Sequence, residues 1–108
     1  LTNNGLYGVS AEDQSTLDNR VGYLMRLWGN DLWVSIEPLL APIDLSPWIG
    51  NISWIVVGAE TGKGAEPPKI KWLWNIVRQC RDAGIPVFLK KNLKDVWGED
   101  LIQEFPVL

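Results

Sequence analysis

The sequence predicts an α/β fold: a parallel sheet of about four βα units that forms half of a TIM-barrel-like, or partial-barrel, architecture. Four short apolar runs alternate with connecting segments, two of which show helical periodicity. Three of these runs end almost identically, as "GVSAE" at Glu12, "WVSIE" at Glu37 and "VVGAE" at Glu60. Because strands joined by helical crossovers run parallel, each repeated ending marks the carboxyl end of a strand.

The predicted strands are Leu6–Glu12, Asp31–Glu37, Trp54–Glu60 and Val87–Lys91. Ser15 is the predicted N-cap of the first helix, and proline residues limit the connection after Glu37 to a short helical turn near Ser46–Ile49. The second helix is predicted over Lys69–Ala83 and ends at Gly84. Its apolar face comprises Ile70, Leu73, Trp74, Val77 and Cys80.

Composition limits the classes of function. The 108 residues, 46% hydrophobic and 21% charged, fit one globular domain over residues 1–108, and a net charge of -3 gives no general attraction for nucleic acid. The absence of histidine excludes serine–histidine triads and most zinc sites. No apolar run reaches the roughly 18 residues of a membrane helix. Cys80 is the single cysteine, which favours a reducing compartment and predicts a cytoplasmic protein.

Side-chain alternation assigns two faces to the predicted sheet, because every second residue of a strand points the same way. One face is uniformly apolar and suited to packing under helices. The other face carries large apolar side chains towards the amino ends of the strands, small side chains in the middle and charged side chains at the carboxyl ends. This second face comprises Gly8, Ser10, Glu12, Trp33, Ser35, Glu37, Val56, Gly58, Glu60, Phe88 and Lys90.

Carboxylates and an ammonium group at the strand ends indicate a binding site, since parallel α/β folds bind ligands there. Lys63 is a further candidate, because it lies in the loop Thr61–Pro68 between a strand and a helix. Backbone amides at such a position can hold an anion. A plain flexible loop and simply solvated glutamates are the alternatives. The candidate ligand-binding residues are Ser10, Glu12, Ser35, Glu37, Gly58, Glu60, Lys63 and Lys90.

An ordered series of motifs resembles a known family. The stretches "LYGVSAEDQ", "WVSIEPLLAPIDL", "WIVVGAETGKGAEP", "RQCRDAGIPVFLKKN" and the closing "EFP" resemble the carboxyl-terminal part of the phage gp-thirty-seven/gp-sixty-eight family of uncharacterised proteins. Full-length members are similar to radical S-adenosylmethionine proteins, with an amino-terminal three-cysteine motif and a barrel of parallel strands. The resemblance implies that this chain is the carboxyl-terminal half of a longer barrel-like protein.

The same resemblance implies S-adenosylmethionine as a cofactor of the full-length protein. This chain lacks the three-cysteine motif, so it supplies no set of iron–sulfur ligands. Three hypotheses for function remain open: the ligand-binding half of a radical enzyme, a non-catalytic phage accessory or interaction domain, and a divalent metal site on Glu12, Glu37 and Glu60. Whether the protein is an enzyme stays open at this stage, and no metal ligand is assigned.

Four strands leave two unpaired edges and an inner face without an opposing wall. The apolar residues of that face include Trp33, Val56 and Phe88. We therefore expect the missing amino-terminal half, self-association, or the chain's own tail from Asn92 onward to cover this surface.

Overall fold

The computed structural model of the chain describes residues 2–3, 6–28 and 32–106. Asp31, the predicted start of the second strand, lies outside the described residues. Two single-turn 3₁₀ segments, Ile49–Asn51 and Lys91–Leu93, supplement the regular elements. In chain order these elements are β1 Thr2–Asn3, β2 Leu6–Ala11, α1 Gln14–Trp28, β3 Leu32–Ile36, β4 Ile52–Val57, α2 Ile70–Ala83, β5 Val87–Leu89 and α3 Lys94–Trp97.

The sheet has the strand order β1-β2-β3-β4-β5. Strands β2 to β5 are all parallel, which confirms the predicted order and direction. The two-residue strand β1, which was not predicted, pairs antiparallel with β2. The result is a mixed α/β fold whose four parallel strands alternate with helices or a short crossover.

Strand register shows that the third repeat is displaced from the other two. Ala11 pairs with Ile36, so the first two glutamates lie level with each other. Ile36 pairs with Val57, however, which places Glu37 level with Gly58. Strand β4 begins at Ile52 and ends at Val57, so the predicted strand Trp54–Glu60 was placed too late in the chain. Glu60 therefore lies three residues beyond the strand.

The main core lies between the sheet and the helices. Alternate strand residues such as Val34, Ile36 and Val57 are fully buried against Leu17 of α1 and Leu73 of α2. These strand residues belong to the face that the sequence predicted to be helix-covered. Val56 is also buried, at 6% exposure, yet it lies outside this cluster because its side chain points to the opposite face.

Helix α1 begins two residues earlier than predicted, at Gln14, and Asp13 caps it. The Asp13 carboxylate accepts a hydrogen bond from the Thr16 N–H at 2.9 Å. In return the Asp13 N–H donates to the Thr16 hydroxyl at 3.2 Å. Ser15 thus lies inside the first turn, and the predicted N-cap was wrong because an aspartate two positions earlier satisfies the free amide.

Helix α2 buries a slightly different stripe from the one predicted. Leu73, Val77 and Cys80 are buried as expected, together with Ile76, but Ile70 and Trp74 are 41% and 40% exposed. Trp74 lies at the edge of the stripe, where its ring stacks on Trp97 with 4.5 Å between centroids. Gly84 ends the helix in the left-handed conformation (φ 72°), as the sequence predicted.

The tail covers the outer edge of β5. Leu89 N–H donates to the Ile102 carbonyl at 2.8 Å, and Glu104 N–H donates to the Val87 carbonyl at 3.0 Å. Side chains complete the edge: the Gln103 amide donates to the Leu89 carbonyl, and the Glu104 carboxylate accepts from Val87 N–H. The outward main-chain groups of β5 are therefore satisfied within the chain, as expected if the tail protects this edge.

Candidate functional site at the carboxyl end of the sheet

An ion pair between Glu37 and Lys90 is the centre of the candidate site. The Lys90 ammonium lies 2.8 Å from one carboxylate oxygen of Glu37 and 3.1 Å from the other. The Ser35 hydroxyl donates to the same carboxylate at 3.3 Å. The side chains of Lys90 and Glu37 are 43% and 31% exposed, so both charges remain accessible to a ligand.

An open surface depression of about 500 Å³ adjoins this pair. Phe88 supplies an apolar wall, and Lys91 adds a second ammonium group, which gives the lining charges a net excess of one positive charge. Carboxylate and ammonium groups beside an apolar surface are suited to a small ligand that carries both an anionic and a hydrogen-bond-donating group. The lining residues are Glu37, Phe88, Lys90, Lys91, Asn92 and Gln103.

Below this rim, the face of the sheet opposite the helices carries a row of aromatic rings. Trp33 and Trp54 lie 5.8 Å apart between ring centroids, and Phe105 of the tail contacts Trp54 and Phe88 at 5.8 and 5.3 Å. Gly8 admits the Trp33 indole: a Cβ at residue 8 would lie 2.3 Å from that ring. Gly8, at the level where the sequence predicted a large side chain, therefore makes space for a neighbouring one.

Glu12 has a different partner from Glu37. Its carboxylate lies 3.6 Å from the Arg20 guanidinium on α1, and Arg20 also donates to the Ser10 carbonyl at 2.6 Å. Arg20 thus links the carboxyl end of β2 to α1. The Ser10 side chain is exposed beside this contact.

The remaining two candidates lie in the loop after β4. Residues from Glu60 to Gly64 are all exposed, including Lys63. Gly62 and Gly64 have φ angles of 103° and 81°, which glycine adopts without strain. The structure brings together Ser35, Glu37, Gly58 and Lys90. Glu60 and Lys63 lie instead on the exposed loop after β4.

The three strand-end glutamates do not assemble as a cation site. Over residues 2–3, 6–28 and 32–106, no three His, Cys, Asp or Glu side chains form a group that could hold a metal ion. Strand register contributes to this, because Glu37 lies level with Gly58 and Glu60 lies three residues beyond β4. The geometry gives no support to the divalent metal hypothesis.

Asn92 is a rim residue that sequence analysis missed. Its carboxamide oxygen accepts from the Ala59 N–H at 3.0 Å, and its amide group donates to the Ala59 carbonyl at 3.2 Å. The side chain thus continues the pairing between β4 and β5 beyond the last strand residues. An asparagine shortly after a strand end was the available signal, but only the folded chain shows its partner.

Two glutamines fix the connection between β3 and β4 on the helical side. Gln14 exchanges hydrogen bonds with the main chain of Asp44 at 2.7 and 2.9 Å. Gln79 accepts from Leu45 N–H and donates to the Ile43 carbonyl, at 2.7 and 2.8 Å. An open groove of about 850 Å³ lies between α1, α2 and this connection. Neither glutamine was predicted, because each partner is at least 30 residues away in the chain.

Together these features define an α/β protein with a parallel sheet, one helix-covered face and an ion pair at its carboxyl-end rim. A family model described as "Protein of unknown function (DUF5131)" matches residues 1–104, and the chain belongs to this family. No curated protein and no solved structure matches the chain. In the described ranges, no helix combines the length and apolar character needed to cross a membrane.

Proposed function

We propose that this chain is the ligand-binding carboxyl-terminal half of a phage-family protein similar to radical S-adenosylmethionine enzymes. The observation that carries the proposal is the partly exposed pair of Glu37 and Lys90 beside an open surface depression at the carboxyl ends of parallel strands. Such an edge is where open and closed parallel sheets bind ligands. On this proposal the protein acts in the cytoplasm and uses its amino-terminal half to complete the barrel.

The charged pair fits the amino-acid end of S-adenosylmethionine. The Glu37 carboxylate can accept from the ligand ammonium, and Lys90 can donate to the ligand carboxylate. An ammonium group has three donors and a carboxylate about four acceptor positions, so both residues keep capacity while they remain paired. The chemistry that the cofactor supplies when bound is radical generation, as the family resemblance implies.

An iron–sulfur cluster does not fit this chain. Cluster binding needs several thiolates, and Cys80 is the single cysteine. Burial, reinforced by the charge of Glu104, raises the pKa of the Cys80 thiol to about 12. On the proposal, any cluster is held by cysteines elsewhere in the complete protein. Its full reading frame is expected to encode a three-cysteine motif.

Calorimetric titration of S-adenosylmethionine into the protein made from its complete reading frame tests the proposal. Glu37→Gln and Lys90→Met should each weaken binding about tenfold or more, because a hydrogen bond to a charged group is worth roughly 1.5–3 kcal/mol. Glu99→Gln and Arg81→Met remove equivalent charges from exposed positions and serve as matched controls. Absent binding, or equal binding in all four variants, would contradict the proposal.

A specific observation supports a second candidate, a non-catalytic phage accessory or interaction domain. Glu37 is paired with Lys90 and Glu12 with Arg20, so the rim charges already satisfy one another within the chain. On this alternative the pairs serve the fold alone. Stability should then fall in Glu37→Gln and Lys90→Met while the complete protein binds no S-adenosylmethionine.

A further inference from the structure

We infer that Gly58 is a positioning residue of the rim, whose missing side chain lets the Glu37 carboxylate cross β4 to reach Lys90. The functional meaning of this role rests on the proposed function, because the ion pair is its ligand-binding group. The spatial role of Gly58 involves no ligand and can be tested alone.

Glu37 and Lys90 follow strands that are not neighbours. Glu37 comes directly after β3, Gly58 after β4 and Lys90 after β5. Gly58 N–H donates to the Ile36 carbonyl at 3.0 Å, and Lys90 N–H donates to the Val57 carbonyl at 2.9 Å. The sheet therefore continues through these positions. Two strand spacings separate β3 from β5, about 10 Å, so an ion pair between them must pass over β4.

Gly58 supplies the space for this passage. A Cβ built on Gly58 would lie 2.9 Å from Cδ of Glu37 and 3.0 Å from its Cγ and Oε2. Carbon atoms in good contact are about 3.5–4.0 Å apart, so the Glu37 side chain already fills that volume. The φ angle of Gly58 lies outside the left-handed region, and hence its backbone conformation does not demand glycine. Space for Glu37 is what glycine provides here.

The nature of the obstructed group predicts the effect of a substitution. At Gly8 an added Cβ would meet three atoms of the rigid Trp33 indole at 2.3–2.5 Å. At Gly58 it would meet the flexible end of a glutamate side chain that is partly exposed. Alanine at residue 58 should therefore displace the carboxylate while the strands stay in place.

Carbodiimide cross-linking followed by peptide mapping reports the pair directly. The carbodiimide converts the Glu37 carboxyl group into an O-acylisourea. The neutral Lys90 amine attacks its acyl carbon, the C–O bond to the isourea breaks, and the urea leaves with the amine proton as the amide bond forms. We expect this cross-link in the wild type and in Gly50→Ala, whose added Cβ meets nothing within 4 Å. We expect its loss in Gly58→Ala. A wild-type yield in Gly58→Ala would overturn the inference.

A thermodynamic cycle keeps the inference testable even if Gly58→Ala folds poorly. Removing the Glu37 side chain removes the obstruction, so Gly58→Ala should lower the melting temperature in the wild type but not in a Glu37→Ala background. An equal loss in both backgrounds would show that residue 58 must be glycine for another reason. Because neither measurement involves a ligand, a failure of S-adenosylmethionine binding leaves both results intact.

Discussion

The carboxamide of Asn92 takes the place of a strand residue opposite Ala59, exchanging two hydrogen bonds with its main chain at 3.0 and 3.2 Å. Ala59 is only 6% exposed, so water cannot readily replace either bond. The first residues after β4 are thereby held in line with the sheet. Asn92 also lines the open depression at the rim, so the same residue supports the fold immediately beside the candidate site.

Asn92→Ala is therefore expected to lower the free energy of unfolding by about 1–3 kcal/mol, the cost of leaving buried hydrogen-bonding groups unpaired. Urea unfolding monitored by tryptophan fluorescence measures this change. Lys91→Ala, at the neighbouring exposed position, is the matched control and should have little effect. A loss equal to that of the control would mean that the exchange with Ala59 contributes nothing.

The cap of α1 predicts a defined dependence of stability on pH. Hydrogen bonds from the Thr16 N–H and hydroxyl, with a smaller contribution from the Arg20 charge, lower the pKa of Asp13 below its usual 3.8. A carboxyl group with a lowered folded-state pKa stabilises the fold above its unfolded pKa. That contribution disappears as the pH falls through the folded-state value.

Asp13→Asn keeps a capping side chain but removes the titration. The stability difference between wild type and this variant should be constant near neutral pH and should change below about pH 4, to the disadvantage of the wild type. Urea unfolding over a series of pH values measures it, and Asp82→Asn controls for the loss of one exposed carboxylate. A difference that does not vary with pH would contradict the assignment of Asp13 as the cap.

The pKa of about 12 and the complete burial of Cys80 predict an unreactive thiol. The native protein should not react with an aromatic disulfide reagent at neutral pH, because the thiolate is the reacting form. Unfolding in guanidinium chloride should release one reactive thiol. Ala83→Cys adds an exposed thiol at the end of α2 and serves as the positive control. Rapid labelling of Cys80 in the native wild type would show that this part of the core opens.

Sequence alone predicted the strand order and the two faces of β3. The faces follow from local geometry, because every second residue of a strand points to the same side of the sheet. Residues 33–36 accordingly alternate between the face opposite the helices and the helix-covered face. The same reasoning correctly assigned Trp33 and Ser35 to one face and Val34 and Ile36 to the other.

The alignment of the repeated glutamates between neighbouring strands could not be predicted in this way. The three similar endings made Glu12, Glu37 and Glu60 look equivalent, but Ile36 pairs with Val57 and not with Ala59. Register depends on pairing between strands, and the shift between Leu32 and Trp33 lies at the start of that ladder. A two-residue displacement turned one glutamate into a loop residue and placed Gly58 beside Glu37.

Side-chain contacts across long chain separations were also beyond the sequence. Lys90 is 53 residues from Glu37, and Asn92 is 33 residues from Ala59. No periodic pattern records such contacts, since each depends on which strand ends become neighbours. In the sequence, Asn92 and Gln79 cannot be distinguished from other polar residues. Their side-chain amides gain hydrogen-bond partners only when folding brings main-chain groups within reach.

On the proposed function, the rim beside Glu37 and Lys90 binds S-adenosylmethionine. Amide NMR spectra of the complete protein, recorded as this ligand is added, show which residues it contacts. We expect shift changes concentrated at Glu37, Gly58, Lys90 and Lys91, and their loss in Lys90→Met. Changes centred on the groove beside Gln14 and Gln79, or no changes at saturating ligand, would contradict the proposal.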